Sequence, residues 1–230
     1  MIILALDTTS RSGSAAVLRN GIVLAELSGD AALTHGQRLP AELMRVLNEA
    51  SVPLDQVELF AVASGPGSFT GLRVGIATVQ GLATARGRRV VAVSALDALA
   101  RAAMNASHPV GVWMDAQRGE VFAALYAADG RDLLVGAESS VPDVVLNAWG
   151  RAIEGRVPVF VGDGAVRYRD AIAARVGQDV RVIPAPPLAG FVGQIAAEDP
   201  SRAVLPHAIV PIYVRRSDAE LARARRSGTT

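Results

Sequence analysis

Cysteine is absent from the 230 residues, and so is lysine: all 23 basic side chains are arginine. Without a thiol there is no disulfide, no cysteine nucleophile and no cysteine-ligated zinc or iron–sulfur cluster. The uniform arginine, beside abundant alanine, reads as a coding bias and not as a site. No apolar run is long enough to span a bilayer, and no basic stretch precedes Met1-Ile2-Ile3-Leu4, so a cytoplasmic protein with no membrane partner is expected. A net charge of +1 leaves no electrostatic footprint for nucleic acid apart from the basic C-terminal end. Histidine is scarce as well: His35, His108 and His207 are not spaced from one another as ligands on one helix would be. A G-x-S-x-G elbow is also missing. These absences predict no catalytic residue, no metal and no cofactor.

What is present is apolar substance. Half the chain is hydrophobic, enough for one large domain or two compact lobes. The pattern centres on Ser64-Gly65-Pro66-Gly67-Ser68-Phe69-Thr70-Gly71-Leu72-Arg73-Val74-Gly75. The run Leu59 to Ala63 reads as a buried strand stopped by Gly-Pro-Gly. Ser68 is placed to cap a helix from Phe69 to Ala85, because Leu72, Ile76, Val79 and Ala83 recur at helical spacing. A glycine-rich turn opening a helix suits an anion, but no lysine follows in the phosphate-loop pattern. The alternatives are a strand–turn–helix joint whose glycines serve packing and a helix face that receives a partner. Gly71 and Gly75, one turn apart, allow a close approach on either reading.

Along the chain, strands are expected at Met1 to Leu6, Ser14 to Leu18 and Ile22 to Leu27, the last two joined by the hairpin signal Asn20-Gly21. A helix over Leu39 to Ala50, with Pro40 in its first turn, precedes the central joint. A strand at Arg89 to Val93 and a helix at Leu96 to Ala103 follow. The second half repeats the opening: strands Val110 to Met114 and Val121 to Ala127 around the polar loop Asp115 to Glu120. Helices at Val141 to Trp149 and Ala165 to Val176 flank a strand Val157 to Val161. A strand Asp179 to Ile183, the stiff Pro184 to Pro187 link, a helix Gly190 to Ala197 and an extended piece Ile209 to Val214 complete the pattern. The repetition predicts a duplicated α/β fold with lobes at 1–106 and 107–214 and a basic, disordered tail at 215–230.

Asp7, followed by Thr8 and Thr9 at the end of the first strand, sits where α/β proteins place phosphate or metal chemistry, or it bonds the backbone of its own loop. Asp115, with Arg118 and Glu120, holds the matching place in the second half and carries the same two readings. Gly162 and Gly164 end a strand before a helix, where backbone passes a nucleotide or simply turns.

Read together, several stretches resemble the TsaB (YeaZ-like) family of tRNA threonylcarbamoyladenosine biosynthesis. They are Ile3 to Thr9, Thr34 to Pro40, Gly65 to Gly75, Val93 to Ala100, Asp115 to Phe122, Gly162 to Gly164 and Pro211 to Arg215, in family order. The resemblance implies an actin/Hsp70-like fold of two ribonuclease-H-like lobes and a paralogous TsaD-type catalytic subunit as partner. It also implies a TsaE-type ATPase subunit, a homodimer when alone, and contact with tRNA only through the complex. The paralogue's metal-binding H-x-x-x-H pair falls here on Ala95 and Leu99, which cannot donate to a metal. A glutamate is more usual in the family at Gln37.

The expected role is therefore a non-catalytic scaffold subunit. Its rivals are an actin-like small-molecule kinase or ATPase using Asp7 and Asp115 with magnesium, and a metallopeptidase, for which the ligands are missing. The helices Leu39 to Ala50 and Phe69 to Ala85 are apolar on more than one side, which suits an element shared between core and interface. Leu39, Leu43, Leu72, Arg73, Ile76 and Val79 are the expected partner-facing residues, with Gly71 and Gly75 letting the helices approach. Asp7, Thr8, Thr9, Asp115, Gly162 and Gly164 are the residues of a vestigial nucleotide site.

Overall fold

The structure, a computed structural model, describes residues 1–104, 107–150, 152–153 and 155–215. The expected lobe boundary at Ala106 and the tail beyond Arg215 lie outside the described residues. The first half forms β1 (Ile2–Asp7), β2 (Ser14–Arg19), β3 (Ile22–Ser28), α1 (His35–Glu49), β4 (Leu59–Gly65), α2 (Phe69–Ala85), β5 (Arg89–Ser94) and α3 (Ala95–Ala102). Its sheet runs β3-β2-β1-β4-β5, antiparallel across the first three strands and parallel from β1 to β5.

The second half forms β6 (Val110–Asp115), β7 (Val121–Tyr126), β8 (Leu133–Ser140), α4 (Pro142–Trp149), β9 (Val159–Val161), α5 (Asp163–Arg167), α6 (Arg169–Val176) and β10 (Val182–Ile183). Its order, β8-β7-β6-β9-β10, repeats the first with the same strand directions. Two sheets of this order make the expected ribonuclease-H-like pair, and the whole is the actin/Hsp70-like fold. We propose lobes at 1–106 and 107–214, because each sheet is built within one range. Helix α7 (Ala189–Glu198) nevertheless returns to the first sheet. Its first N–H groups find acceptors there: Ser14 Oγ takes Leu188 N at 3.0 Å and Ala189 N at 2.9 Å, and Glu26 Oε1 takes Gly190 N at 2.7 Å.

Several boundaries differ from the sequence reading. Helix α1 starts at His35 rather than Leu39, because Thr34 and Gln37 form a capping box in which Gln37 Oε1 accepts from Thr34 N at 2.9 Å. An acceptor is all that position needs, so glutamine serves there. Strand β8 was not expected between Asp129-Gly130 and the next helix. It is an edge strand whose first residues are exposed, so its apolar alternation is weak. The helix expected over 165–176 is two, α5 and α6, divided at Tyr168. The piece expected to be extended, Ile209 to Val214, forms no strand; Ile212 N donates to Ser64 O at 2.7 Å.

Gly71 and Gly75 of α2 face inward. Cβ atoms at Gly71 and Gly75 would fall well inside contact distance of the Thr8 carbonyl oxygen and the Thr8 side chain, respectively. The close approach thus belongs to the β1–β2 loop and not to a second subunit. Ser68 caps the helix as expected, accepting from Gly71 N at 3.2 Å. Gly71→Ala should therefore destabilise the fold by about 1–3 kcal/mol, as overpacking does. Gly81→Ala, exposed on the same helix with nothing within 4 Å of its Cβ position, should stabilise by up to about 1 kcal/mol. Denaturant unfolding of the two variants measures both signs; equal stability of Gly71→Ala and wild type would refute the close approach.

Candidate functional site

The ends of β1, β6 and β9 converge on a cleft between the two sheets. One part, of about 460 Å³, is lined by Asp7, Arg11, Asp163 and the Pro184–Leu188 link. The adjoining part, of about 810 Å³, is lined by Thr9, His35, Phe69, Asp115 and Arg215 among others. Of the six residues expected to form a nucleotide site, Asp7, Thr9 and Asp115 face this cleft and the other three pack elsewhere. Thr8 is buried against α2. Added Cβ atoms at Gly162 and Gly164 would run into the backbone of β6. Those two glycines let a strand end and a helix start lie against the sheet.

One oxygen of Asp7 and both oxygens of Asp115 are bonded within the chain. Asp7 is 2% exposed, and its Oδ1 accepts from Thr9 N at 2.8 Å and Thr9 Oγ1 at 2.6 Å. Burial pushes its carboxyl above the ordinary carboxylate range; the Thr9 bonds and Arg38 oppose that shift, and Asp163 adds to it. Asp115 is ion-paired, Oδ2 lying 2.7 Å from Arg167 Nη1 and 2.9 Å from Gln117 Nε2, while Gln117 N donates to Oδ1 at 3.0 Å. Both aspartates act as loop anchors.

Asp163, inside the Gly162 to Gly164 stretch, is a cleft residue that the sequence reading misses. It meets both parts of the cleft and accepts from Asp115 N at 3.0 Å and Gly164 N at 2.9 Å. Its position at the end of β9, matching Asp7 on β1 and Asp115 on β6, was the available signal.

Arg38, 4% exposed, organises the other wall. It pairs with Glu42 at 2.6 Å, donates to the carbonyls of Arg11 and Ser12, and meets His35 Nδ1 at 2.7 Å. The arginine can only donate, so His35 Nδ1 accepts and Nε2–H donates to Ser10 O at 3.0 Å. Burial and the guanidinium hold this imidazole's pKa below the ordinary histidine value. Ala95 and Leu99 are buried in the core beneath β5. Among the described residues no group of three or more His, Cys, Asp or Glu side chains could hold a metal ion.

The expected partner-facing residues need correction. Leu39, Leu43, Leu72, Ile76 and Val79 are between 1% and 6% exposed and pack into this chain's own core. Only Arg73 of that set is on the surface. The opposite sides of the two neighbouring helices are open instead: Pro40, Ala41, Met44 and Arg45 on α1, and Phe69, Arg73 and Ala77 on α2. The stripe recurring at helical spacing was the core face, as periodicity ordinarily implies.

Residues 27–222 match the family model described as TsaD, tRNA N6-adenosine threonylcarbamoyltransferase. The chain is 28% identical over 235 aligned residues to the tRNA threonylcarbamoyladenosine biosynthesis protein TsaB of Bacillus subtilis, covering 96% of each chain. It is 33% identical over 150 residues to Escherichia coli TsaB, covering 63% of this chain and 64% of that one. The solved structure of YeaZ from Pseudomonas aeruginosa superposes with a TM-score of 0.75 at 29% identity, over 92% of this chain and 99% of that one.

The buried Asp7 yields a prediction with a definite sign. A carboxyl whose folded pKa is raised above its unfolded value supports the fold at low pH and loses that support as pH rises through the folded pKa. Asparagine keeps an acceptor for Thr9 and carries no charge. Asp7→Asn should therefore match or exceed wild type in thermal stability at neutral pH, and its advantage should shrink as pH falls towards 4. Melting curves of both proteins from pH 4 to 7.5 measure this; a less stable Asp7→Asn at pH 7 would show that the charge is needed.

Proposed function

The chain belongs to the TsaB/YeaZ family, and from that premise we propose that it serves tRNA threonylcarbamoyladenosine biosynthesis as a non-catalytic subunit that binds a TsaD-type catalytic subunit. The observation that carries this reading is how the cleft's groups are used. Asp7 and Asp115, the carboxylates a nucleotide-bound magnesium would need, are bonded to Thr9 and to Arg167 and Gln117. Ala95 and Leu99 stand where the resemblance places the paralogue's metal histidines, and both are core residues. What the chain offers outward is the open side of α1 and α2.

On this reading the exposed sides of those helices meet the equivalent helices of the paralogue. A TsaE-type ATPase joins the assembly, tRNA is reached only through the complex, and the isolated chain pairs with itself. The setting is the cytoplasm; no helix of the described residues is long and apolar enough to cross a membrane.

Co-expression with the catalytic subunit tests the proposal. The two should co-purify, and this chain alone should transfer no threonylcarbamoyl group. A large charge on the open face, Ala77→Arg, should abolish co-purification while the melting curve stays that of wild type. Ile76→Arg, 5% exposed in the core, should instead unfold the chain. Stoichiometric ATP binding by the isolated chain, measured calorimetrically, would overturn the scaffold reading in favour of a kinase.

A further inference from the structure

The open face of α2 carries a preorganised cation. The Arg73 guanidinium lies 4.0 Å from the centroid of the Phe69 ring, and that ring is 5.7 Å from the ring of Tyr213. Arg73 Nε approaches the Tyr213 hydroxyl at 3.5 Å. Both aromatic residues are nearly half exposed, Phe69 at 44% and Tyr213 at 47%. Tyr213 belongs to the C-terminal segment, anchored on either side of it: Ile212 N donates to Ser64 O, and Arg215 Nη1 donates to Ala116 O at 3.0 Å. No carboxylate pairs with Arg73 among the described residues. A flat guanidinium stacked on a ring keeps its in-plane N–H groups directed outward, and its geometry is set before any partner arrives.

We propose that Phe69, Arg73 and Tyr213 form a receptor for one aspartate or glutamate side chain, presented by the catalytic subunit on an otherwise apolar surface. The inference rests on the pairing proposed above and specifies its chemistry. Arg73 supplies the two-pronged donor that fits a carboxylate, and the Tyr213 hydroxyl adds a third donor beside it. The surroundings favour a protein partner over RNA. The same segment exposes Val210 (72%) and Ile212 (40%), and Ala77 continues the α2 face. An RNA strand is held by several cations acting together, whereas among the described residues this patch centres on Arg73. Arginine and tyrosine within an apolar rim is the composition of an interface hot spot.

The test measures the affinity of the full chain for the TsaD-type subunit by calorimetry, for wild type, Arg73→Ala, Arg73→Lys and Tyr213→Phe, at low and high salt. Arg73→Ala should bind about 30-fold more weakly or worse while melting like wild type. Arg73→Lys should recover only part of the loss, because an ammonium lacks the fork. Salt should weaken wild type more than Arg73→Ala. If wild type binds and Arg73→Ala binds equally well, the receptor is refuted and the pairing stands. If wild type does not bind, pairing and receptor fall together. If Arg73→Ala keeps its affinity for the protein but the assembled complex loses tRNA, the anion is an RNA phosphate and the carboxylate is overturned.

Discussion

The seat of the Thr8–Thr9 loop in the glycine face of α2 is the contact on which the rest of the first lobe depends. Thr8 packs where side chains at Gly71 and Gly75 would otherwise stand, and Thr9 O accepts from Ser68 N at 2.8 Å at the mouth of the helix. The loop that must reach this seat starts at Asp7, whose carboxylate binds both Thr9 groups and so sets the loop's curvature. His35 also lies close to Gly71, which brings the start of α1 to the same point. Arg38, one turn further along α1, holds the remaining carbonyls of the loop. One small-residue face thus aligns β1, α1 and α2 and leaves the opposite sides of both helices clear.

The two sheets are tied together behind the cleft by apolar packing. One buried cluster takes Ile3, Ala5, Val91 and Leu96 from the first half and Val110, Val112, Phe122 and Tyr126 from the second. Within it Tyr126 donates to Asp97 at 2.7 Å, and at the margin Glu198 of α7 pairs with Arg101 and Arg131. Rotating one sheet against the other would expose part of this cluster at roughly 25 cal/mol for each Å² of apolar surface. Hinge motion between the sheets is therefore opposed by the packing itself.

Much of this was legible in the sequence. The periodicity of Leu72, Ile76, Val79 and Ala83 located α2, Asn20-Gly21 located the first hairpin, and the repeated strand–loop–strand openings announced the duplication. The misreadings have physical causes. A buried face and an interface face share the same apolar alphabet, so the stripe at 72, 76 and 79 could not be divided between them by composition. Gly71 and Gly75 announced a close approach, but the approaching group was Thr8 in the loop after β1, a fact only the tertiary fold contains. The burial of Arg38 had no sequence signal, because two of its partners are backbone carbonyls, which no sequence pattern advertises. Strand β8 escaped because an edge strand can leave both of its faces partly wet.

The carboxylates show how a site can keep its residue types and lose their availability. Asp7, Asp115 and Asp163 stand at the ends of three strands around one cleft, and the first two made magnesium chemistry a fair reading of the sequence. In the fold each accepts hydrogen bonds from nearby loop or helix-start groups through its Oδ1, so part of every carboxylate already shapes backbone. A buried aspartate with a raised pKa is also a weaker anion at a given pH than one held open by cations. By contrast Arg73, stacked on the outer face of α2, pairs with no carboxylate among the described residues. Polar capacity within the cleft is thus spent on loop geometry, while on the outer face of α2 it is left available.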